Sequence, residues 1–132
     1  MSALDFGPLV LGTNTFGWTS DRDESFAVLD RFVDAGGRSV DTADSYSAWV
    51  PGNSGGESET IIGEWLASRG HRDRVVVATK VFSLPTRPGL SPANIRARTT
   101  TSRTRLPRIG LGSTTLPGAP STSTSSMAVS TR

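Results

Sequence analysis

The chain has 132 residues, which is enough for one domain, and it contains no cysteine. A chain without cysteine forms no disulfide, has no thiolate nucleophile and binds no cysteine-ligated metal. No stretch approaches the ~20 apolar residues of a membrane span, and the first residues lack the pattern of a signal peptide. We therefore expect a cytoplasmic protein without a membrane partner.

The charged side chains divide the sequence into two unlike parts. All twelve acidic side chains lie between Asp5 and Asp73. Residues 1–96 also carry nine basic side chains, whereas residues 97–132 carry five arginines and no acid. This division is more informative than the net charge of +2, and it predicts a boundary near Ala97.

The first predicted unit is a strand followed by a helix. The segment "PLVLGT", residues 8–13, predicts a short buried strand that ends before a loop. Ser20, with Asp23 three residues later, predicts the N-cap of a helix, and Gly36-Gly37 predicts its left-handed end. The apolar face of this helix repeats at helical spacing and consists of Phe26, Val28, Leu29, Phe32 and Val33.

Two further units follow in the same order. "RSVDTA", residues 38–43, predicts the second strand, and a loop rich in Gly, Pro and Ser leads from it to a second helix. That helix has Glu57 and Glu59 near its positive N-terminus. Its apolar face consists of Ile61, Ile62, Trp65 and Leu66. "RVVVATKV", residues 74–81, predicts a third strand that is apolar on both faces, as in parallel sheets covered by helices.

A third helix begins in the sequence and does not continue. Ser91 as N-cap and Pro92 at the first helical position predict its start. From Ala97 onward no period is sustained, and residues 97–132 contain sixteen Ser or Thr. We predict that this low-complexity tail is disordered, because it cannot offset about 1–2 kcal/mol of backbone entropy per residue. It also lacks aromatic residues for base stacking, so we expect no specific nucleic-acid partner.

The composition of the tail supports a second hypothesis, in which the reading frame of the gene is lost near Ala97. Arg, Ser, Thr, Pro and Gly without acids are typical of a GC-rich gene that is read out of frame. Resequencing codons 90–100 tests this hypothesis, and an in-frame gene with an expressed tail peptide would count against it.

Candidate functional residues are concentrated where the predicted strands end. They are Gly12, Thr13 and Asn14 after the first strand, Asp41 and Tyr46 after the second, and Lys80 on the third. The carboxyl ends of parallel strands carry the chemistry of such sheets, so this arrangement predicts one site. Simpler interpretations remain open from the residues alone: Asp41 could cap a turn, Tyr46 could pack, and Lys80 could be solvated.

Four segments resemble the aldo/keto reductase family in order and spacing. They are "LGTNTFGW", "DAGGRSVDTADSY", "GESETIIGEWL" and "RVVVATKV". The resemblance covers about residues 8–96 and is nearest to the bacterial branch related to potassium-channel β-subunits. It implies an α/β fold, the (β/α)8 TIM barrel, of which this chain holds the first three βα units. Because such a barrel needs about 250 residues, we expect an incomplete barrel whose sheet is open at two edges.

The resemblance also implies roles for the residues at the strand ends. It assigns Tyr46 as general acid, Lys80 as the cation beside it, and Asp41 as the group that holds Lys80. A free phenol has a pKa of about 10, and a nearby ammonium favours its ionised form. The cofactor implied is NADPH, with Gly12, Thr13, Asn14 and Asp41 near its nicotinamide end. The family's catalytic histidine belongs to a later strand, and the role is not transferred to His71, which we expect in an exposed loop.

The expected activity is hydride transfer from NADPH to a small-molecule aldehyde or ketone, weak or absent in this chain because the later parts of the barrel are missing. The alternative is a noncatalytic binding or regulatory subunit of the same lineage, which pairs or self-associates through its open sheet edges. A third interpretation, a metal site of Asp44, Glu57 and Glu59, competes with the simpler one that these acids are helix N-terminal charges. Trp18 and Trp49 line a substrate pocket or pack loops, with equal support.

Overall fold

The computed structural model describes residues 5–81 and 84–106, together with the backbone of residues 126–129. Three strand–helix units are followed by one more strand. In chain order the elements are β1 (Val10–Gly12), α1 (Arg22–Asp34), β2 (Ser39–Asp41), α2 (Glu57–Arg69), β3 (Val76–Val81), α3 (Pro92–Arg105) and β4 (Ser126–Val129). Among the described residues, no helix is both long and apolar enough to cross a membrane.

The sheet has the strand order β1-β2-β3-β4, with the first three strands parallel. Gly12 is aligned with Asp41, and Asp41 with Ala78, so the carboxyl ends of the strands meet at one edge. The prediction of an α/β fold built from the first three units of an incomplete barrel is confirmed.

The hydrophobic core lies between the sheet and its helices. Side chains alternate along each strand, so Val40 and Val77, both almost fully buried, face the helices, whereas Asp41 faces the opposite side. All four predicted apolar residues of α2 are buried, and Trp65 and Ile62 have no exposed surface at all. This packing leaves one face of the sheet for the polar residues at the strand ends.

Helix α1 begins one residue later than the sequence predicts. Its N-cap is Asp21 instead of Ser20: the Asp21 carboxylate accepts the backbone N–H of Glu24 at 2.9 Å, and the Glu24 carboxylate accepts that of Asp21 at 3.1 Å. Ser20 and Asp23 show the same three-residue spacing, but the longer Glu24 side chain completes the reciprocal pair. At the other end Gly36 takes the predicted left-handed conformation, with φ of 90°.

The prediction that regular structure ends near Ala97 is wrong. Helix α3 starts as expected, with Ser91 as N-cap and proline in the first turn, but it continues to Arg105. Its buried residues are Arg98, Thr99 and Ser102, so it docks through polar and ionic contacts that an apolar period does not reveal. Leu106, next to the last helical residue, is 1% exposed and completes the core.

The expectation of two open sheet edges is wrong for one of them. Strand β4 pairs antiparallel with β3, with Ala78 aligned to Val129 and Lys80 to Met127. Disorder was therefore also wrongly predicted for residues 126–129. On the other side of the sheet, β1 is the last strand among the residues that are described. The disorder predicted for residues 107–125 and 130–132 concerns positions outside the described residues.

Candidate active site

Asp41, Tyr46 and Lys80 meet at the carboxyl edge of the parallel strands. The Lys80 ammonium donates to both carboxylate oxygens of Asp41 at 2.6 Å, and the Tyr46 hydroxyl donates to Oδ2 at 3.1 Å. Lys80 Nζ also lies 5.0 Å from the centre of the Tyr46 ring. With side chains 24% and 28% exposed, Asp41 and Lys80 are partly shielded from water and still reachable from solution.

The backbone after β2 explains why a tyrosine five positions from an aspartate returns to it. Beyond Asp41 the chain keeps bonding to β3: Thr42 N–H donates to the Ala78 carbonyl, and Asp44 N–H to the Lys80 carbonyl. A turn follows, in which Tyr46 N–H donates to the Ala43 carbonyl at 3.2 Å. This turn carries the phenol back over the strand end.

A cluster of buried hydroxyls lies behind the strand ends. The Thr13 hydroxyl donates to the Asp41 carbonyl at 2.9 Å and lies 2.8 Å from the Ser58 hydroxyl, which is 3.0 Å from that of Thr42. All three hydroxyl residues have no exposed surface. Sequence reasoning missed Ser58, whose only signal was its place in the first turn of α2.

The residues predicted to hold a cofactor divide into two groups. Gly12 lies beside Asp41 on the open face, and a Cβ there would meet none of the described residues within 4 Å. Asn14 is exposed. Thr13 is different, because its side chain is fully buried and its hydroxyl is bonded within the protein. Its side chain therefore supports the strand ends and does not face the open side.

Two tryptophans form an aromatic wall next to the tyrosine. The rings of Trp18 and Trp49 meet edge to face with centres 5.6 Å apart, and the Trp49 ring is 6.5 Å from that of Tyr46. Each tryptophan is 52% exposed. The two therefore pack on each other and also present apolar surface beside the phenol.

Two buried acids bind arginines of α3. Arg98 donates to both oxygens of Asp44, at 2.5 and 2.7 Å, and each side chain is only 4% exposed. Burial raises the pKa of the Asp44 carboxyl, and the hydrogen bonds from Arg98 oppose that rise. Glu59, with no exposed surface, accepts from Arg105 at 2.9 Å. Sequence reasoning missed both arginines.

The acids of the predicted metal alternative do not converge. Asp44 binds Arg98, Glu57 accepts the backbone N–H groups of Ser54 and Gly55, and Glu59 binds the Thr79 hydroxyl as well as its arginine. Among the residues described, no group of three or more His, Cys, Asp or Glu side chains could hold a metal ion. These acids are partners of other protein groups.

His71 lies away from this cluster, in the segment that enters β3 at its opposite end. It is partly buried, and its ring packs edge to face on Trp65 with centres 5.4 Å apart. The expectation that His71 is an exposed loop residue is therefore only partly right. His71 precedes β3, whereas Lys80 lies near the end of that strand, so the two are distant in the fold.

Comparison with known proteins decides the lineage. The sequence profile described as the Aldo/keto reductase family matches residues 8–113. The chain belongs to the aldo/keto reductase family. The match extends past the predicted boundary at Ala97 and includes all of helix α3.

Several relatives show how much of a family member this chain represents. An uncharacterized 11.2 kDa protein from the crtE 3′ region of Pseudescherichia vulneris is 52% identical over 83 residues, which cover 62% of this chain and 81% of that protein. Norsolorinic acid reductase stcV of Emericella nidulans is 44% identical over 87 residues, 61% of this chain but 21% of the reductase. An NADP(+) aryl-alcohol dehydrogenase of Phanerodontia chrysosporium is 39% identical over 104 residues, 73% of this chain and 25% of the enzyme.

Solved structures agree with the sequence comparison. A family structure from Pseudomonas aeruginosa superposes with a TM-score of 0.62 and 31% sequence identity, covering 78% of this chain and 38% of that one. The chain thus spans well under half the length of this structure and about a quarter or less of the named enzymes.

Proposed function

We propose that this chain carries the proton-transfer centre of an NADPH-dependent reductase of aldehydes or ketones. The observation that carries the proposal is the Asp41 carboxylate, which binds the Lys80 ammonium and the Tyr46 hydroxyl at once. In addition, the group lies at the carboxyl edge of a parallel sheet, where the chemistry of such folds is found.

Tyr46 is the general acid in this proposal. Its hydroxyl now donates to Asp41 Oδ2, and a carbonyl oxygen that approaches it takes the place of that acceptor. The phenolic proton then passes to the carbonyl oxygen, which becomes the alcohol. The ammonium of Lys80 stabilises the phenolate that remains, and Asp41 holds the ammonium in place.

The described residues fit the nicotinamide end of the cofactor. Gly12 leaves open space next to Asp41, and Asn14, two residues further along the chain, has an exposed side chain with an amide. Bound NADPH supplies the hydride that reduces the carbonyl carbon. The name of the NADP(+) aryl-alcohol dehydrogenase supports the choice of NADPH.

The substrate proposed is a carbonyl compound with an apolar or aromatic part. Trp49, whose ring centre is 6.5 Å from that of Tyr46, and Trp18, which packs on Trp49, offer exposed apolar surface, so a flat ring bound there would bring its carbonyl near Tyr46. One relative is named an aryl-alcohol dehydrogenase, and an aryl alcohol carries an aromatic ring.

We expect only weak turnover by this chain. The matched region is 21% of the norsolorinic acid reductase and 38% of the solved structure, so most of a family member's length has no counterpart in the comparison. Losing one preorganised donor to a developing oxyanion slows a reaction by about 10²–10³.

A single-turnover reaction at high protein concentration tests the proposal. The chain is mixed with NADPH and an aromatic aldehyde, and the NADPH absorbance is followed. Tyr46→Phe removes the only tyrosine hydroxyl of the chain. We expect the rate of NADPH oxidation by this variant to fall by about 10²–10⁴, while NADPH binding and thermal unfolding stay unchanged. Equal rates in both proteins would overturn the role of Tyr46, and no oxidation of NADPH by either would overturn the proposed activity.

A second candidate is a noncatalytic subunit that associates through the edge of β1, which no described strand covers. Leu9 is 65% exposed and Val10 is 47% exposed at this edge. An apolar edge strand pairs readily with another chain. Sedimentation should then show a dimer of fixed stoichiometry that Val10→Lys dissociates, whereas polydisperse aggregation would contradict this candidate.

A further inference from the structure

The ion pair between Arg98 and Asp44 is the most deeply buried charge pair among the described residues. Arg98 lies on α3 and Asp44 in the segment after β2, 54 positions earlier in the chain. The guanidinium spans both carboxylate oxygens, and its third nitrogen donates to the Arg87 carbonyl at 3.3 Å. Such a two-point contact fixes the orientation of the carboxylate as well as its distance.

The energetic setting of this pair argues that it determines geometry. Taking two charges out of water is costly, and an apolar pair of the same shape is often as stable. Helix α3 has little apolar surface of its own, since its buried residues are Arg98, Thr99 and Ser102. A buried bidentate pair at this point therefore specifies one arrangement of the segment it holds.

That segment connects the members of the active-site cluster. Asp44 stands between Asp41 and Tyr46 in the chain, and its backbone N–H donates to the Lys80 carbonyl at 3.1 Å. The turn that places Tyr46 over the strand end begins at Ala43, one residue before Asp44, because the Ala43 carbonyl accepts the Tyr46 N–H. A displacement of Asp44 would thus move the phenol relative to the ammonium.

We propose that Arg98 is a positioning residue: by fixing Asp44 through a bidentate bond, it sets where the Tyr46 hydroxyl stands relative to Lys80 and Asp41. The inference rests on the proposed function, because this position matters only if the three residues act on a substrate. The Arg98 side chain is itself almost fully buried, and it donates to the Asp44 carboxylate and the Arg87 carbonyl.

The composition of the chain allows a direct test in the full-length protein. It has one tyrosine and one lysine, so selective isotope labelling gives one backbone amide signal for Tyr46 and one for Lys80. In Arg98→Met we expect Tyr46 amide exchange to accelerate about 10- to 100-fold and its ring signals to shift. Arg96→Met removes the same charge from an exposed site on α3 and should leave both signals unchanged.

Two further variants separate positioning from general destabilisation. Arg98→Lys keeps the charge and should restore part of the Tyr46 protection. Leu106→Ala loosens the C-terminal end of α3 and leaves the contact between Arg98 and Asp44 in place. When Leu106→Ala and Arg98→Met are compared at equal free energy of unfolding, the Tyr46 ring signals of Leu106→Ala should match those of the unaltered protein. The proposal is overturned if Arg98→Met behaves like Arg96→Met, or if Leu106→Ala shifts the Tyr46 ring as Arg98→Met does.

The result is independent of whether the chain binds NADPH. Exchange rates and ring signals are measured without cofactor or substrate. An absence of NADPH binding together with the expected Tyr46 response would defeat the proposed function and leave the structural role of Arg98 standing. Binding of NADPH without the Tyr46 response would support the proposed function and overturn the positioning role of Arg98.

Discussion

At the scale of single residues, Asp41 links the groups proposed for catalysis. Its carboxylate binds Lys80 and Tyr46, and its carbonyl accepts from both the backbone N–H and the hydroxyl of Thr13. One residue therefore contacts both the partly exposed groups of Lys80 and Tyr46 and the buried hydroxyl of Thr13. Replacing the Asp41 side chain should disturb the contacts with Lys80 and Tyr46 and keep the backbone carbonyl that Thr13 binds.

A double-mutant cycle measures the pair directly. We expect Asp41→Asn and Lys80→Met to show a coupling of roughly 1–2 kcal/mol in urea unfolding, because the pair is partly buried and bidentate. The exposed pair of Arg22 and Glu64 is the control, with side chains 54% and 47% exposed, and its coupling should not differ measurably from zero. Equal coupling in both pairs would contradict the account of a shielded network.

A methyl group at Gly12 tests the proposed nicotinamide space. Gly12→Ala introduces a Cβ that meets no atom of the described residues within 4 Å, so the free energy of unfolding in urea should change by less than about 0.5 kcal/mol. NADPH affinity should fall by about tenfold or more, because glycine allows a ligand close to the backbone. Unchanged NADPH affinity would place the cofactor elsewhere.

The residues differ in how well the sequence predicts them. The positions of Asp41 and Lys80 at strand ends follow from local sequence patterns, whereas the roles expected for them and for Tyr46 come from the family resemblance. Ser58 and Arg98 follow from neither, because their partners lie 45 and 54 positions away and no spacing along the chain announces them. For these two, only the tertiary structure shows which groups they contact.

At the scale of elements, α1 and α2 are joined by a charged contact. Asp30 of α1 accepts from the Trp65 indole at 2.7 Å and from the Arg69 guanidinium at 2.9 Å. The hydrogen bond from Arg69, followed by that from Trp65, lowers the pKa of Asp30 below its ordinary value of 3.8. The folded state thus favours the ionised carboxylate.

This contact predicts how stability depends on acid. Because the pKa is lower in the folded state, the contribution of Asp30 is present above pH 3.8 and is lost as the pH falls through the folded value. Asp30→Asn should lose less stability than the unaltered chain when urea unfolding is compared at pH 5 and pH 3. The same acid response in both proteins would show that Asp30 has no part in it.

Helix α3 shows why one element escaped prediction. Periodicity detects apolar stripes, whereas α3 is held by Arg98, by Arg105 and by close contact with a glycine of α2. A Cβ at Gly63 would come within 1.9 Å of the Arg105 carbonyl oxygen. The sequence predicts where the helix starts, because its cap is local, but does not predict where it ends.

Gly63→Ala tests this docking. The added methyl must push the end of α3 outward. We therefore expect the free energy of unfolding in urea to fall by about 1–3 kcal/mol, despite the better helix propensity of alanine. Gly12→Ala serves as the comparison, since its methyl meets no neighbour in the part of the chain that the structure describes. A Gly63→Ala protein as stable as the original would mean that α3 is not held against α2.

At the scale of the whole molecule, the fold is the beginning of a barrel with helices on one face of the sheet and polar strand ends at one edge. Alternation of strands and helices and the order of four motifs were enough to predict this architecture. The antiparallel β4 was not predictable, because residues 126–129 pair with β3 across a long stretch of low-complexity sequence. Composition reports how much apolar surface a segment has and not which strand edge it meets.

The measurement that tests the central claim most directly is a titration of the purified chain with NADPH, followed by cofactor fluorescence beside a thermal unfolding curve. We predict saturable binding by a chain that unfolds cooperatively, with Gly12→Ala binding more weakly at unchanged stability. A chain that unfolds cooperatively and shows no saturable binding would contradict the claim that the cluster of Asp41, Tyr46 and Lys80 serves a nicotinamide cofactor.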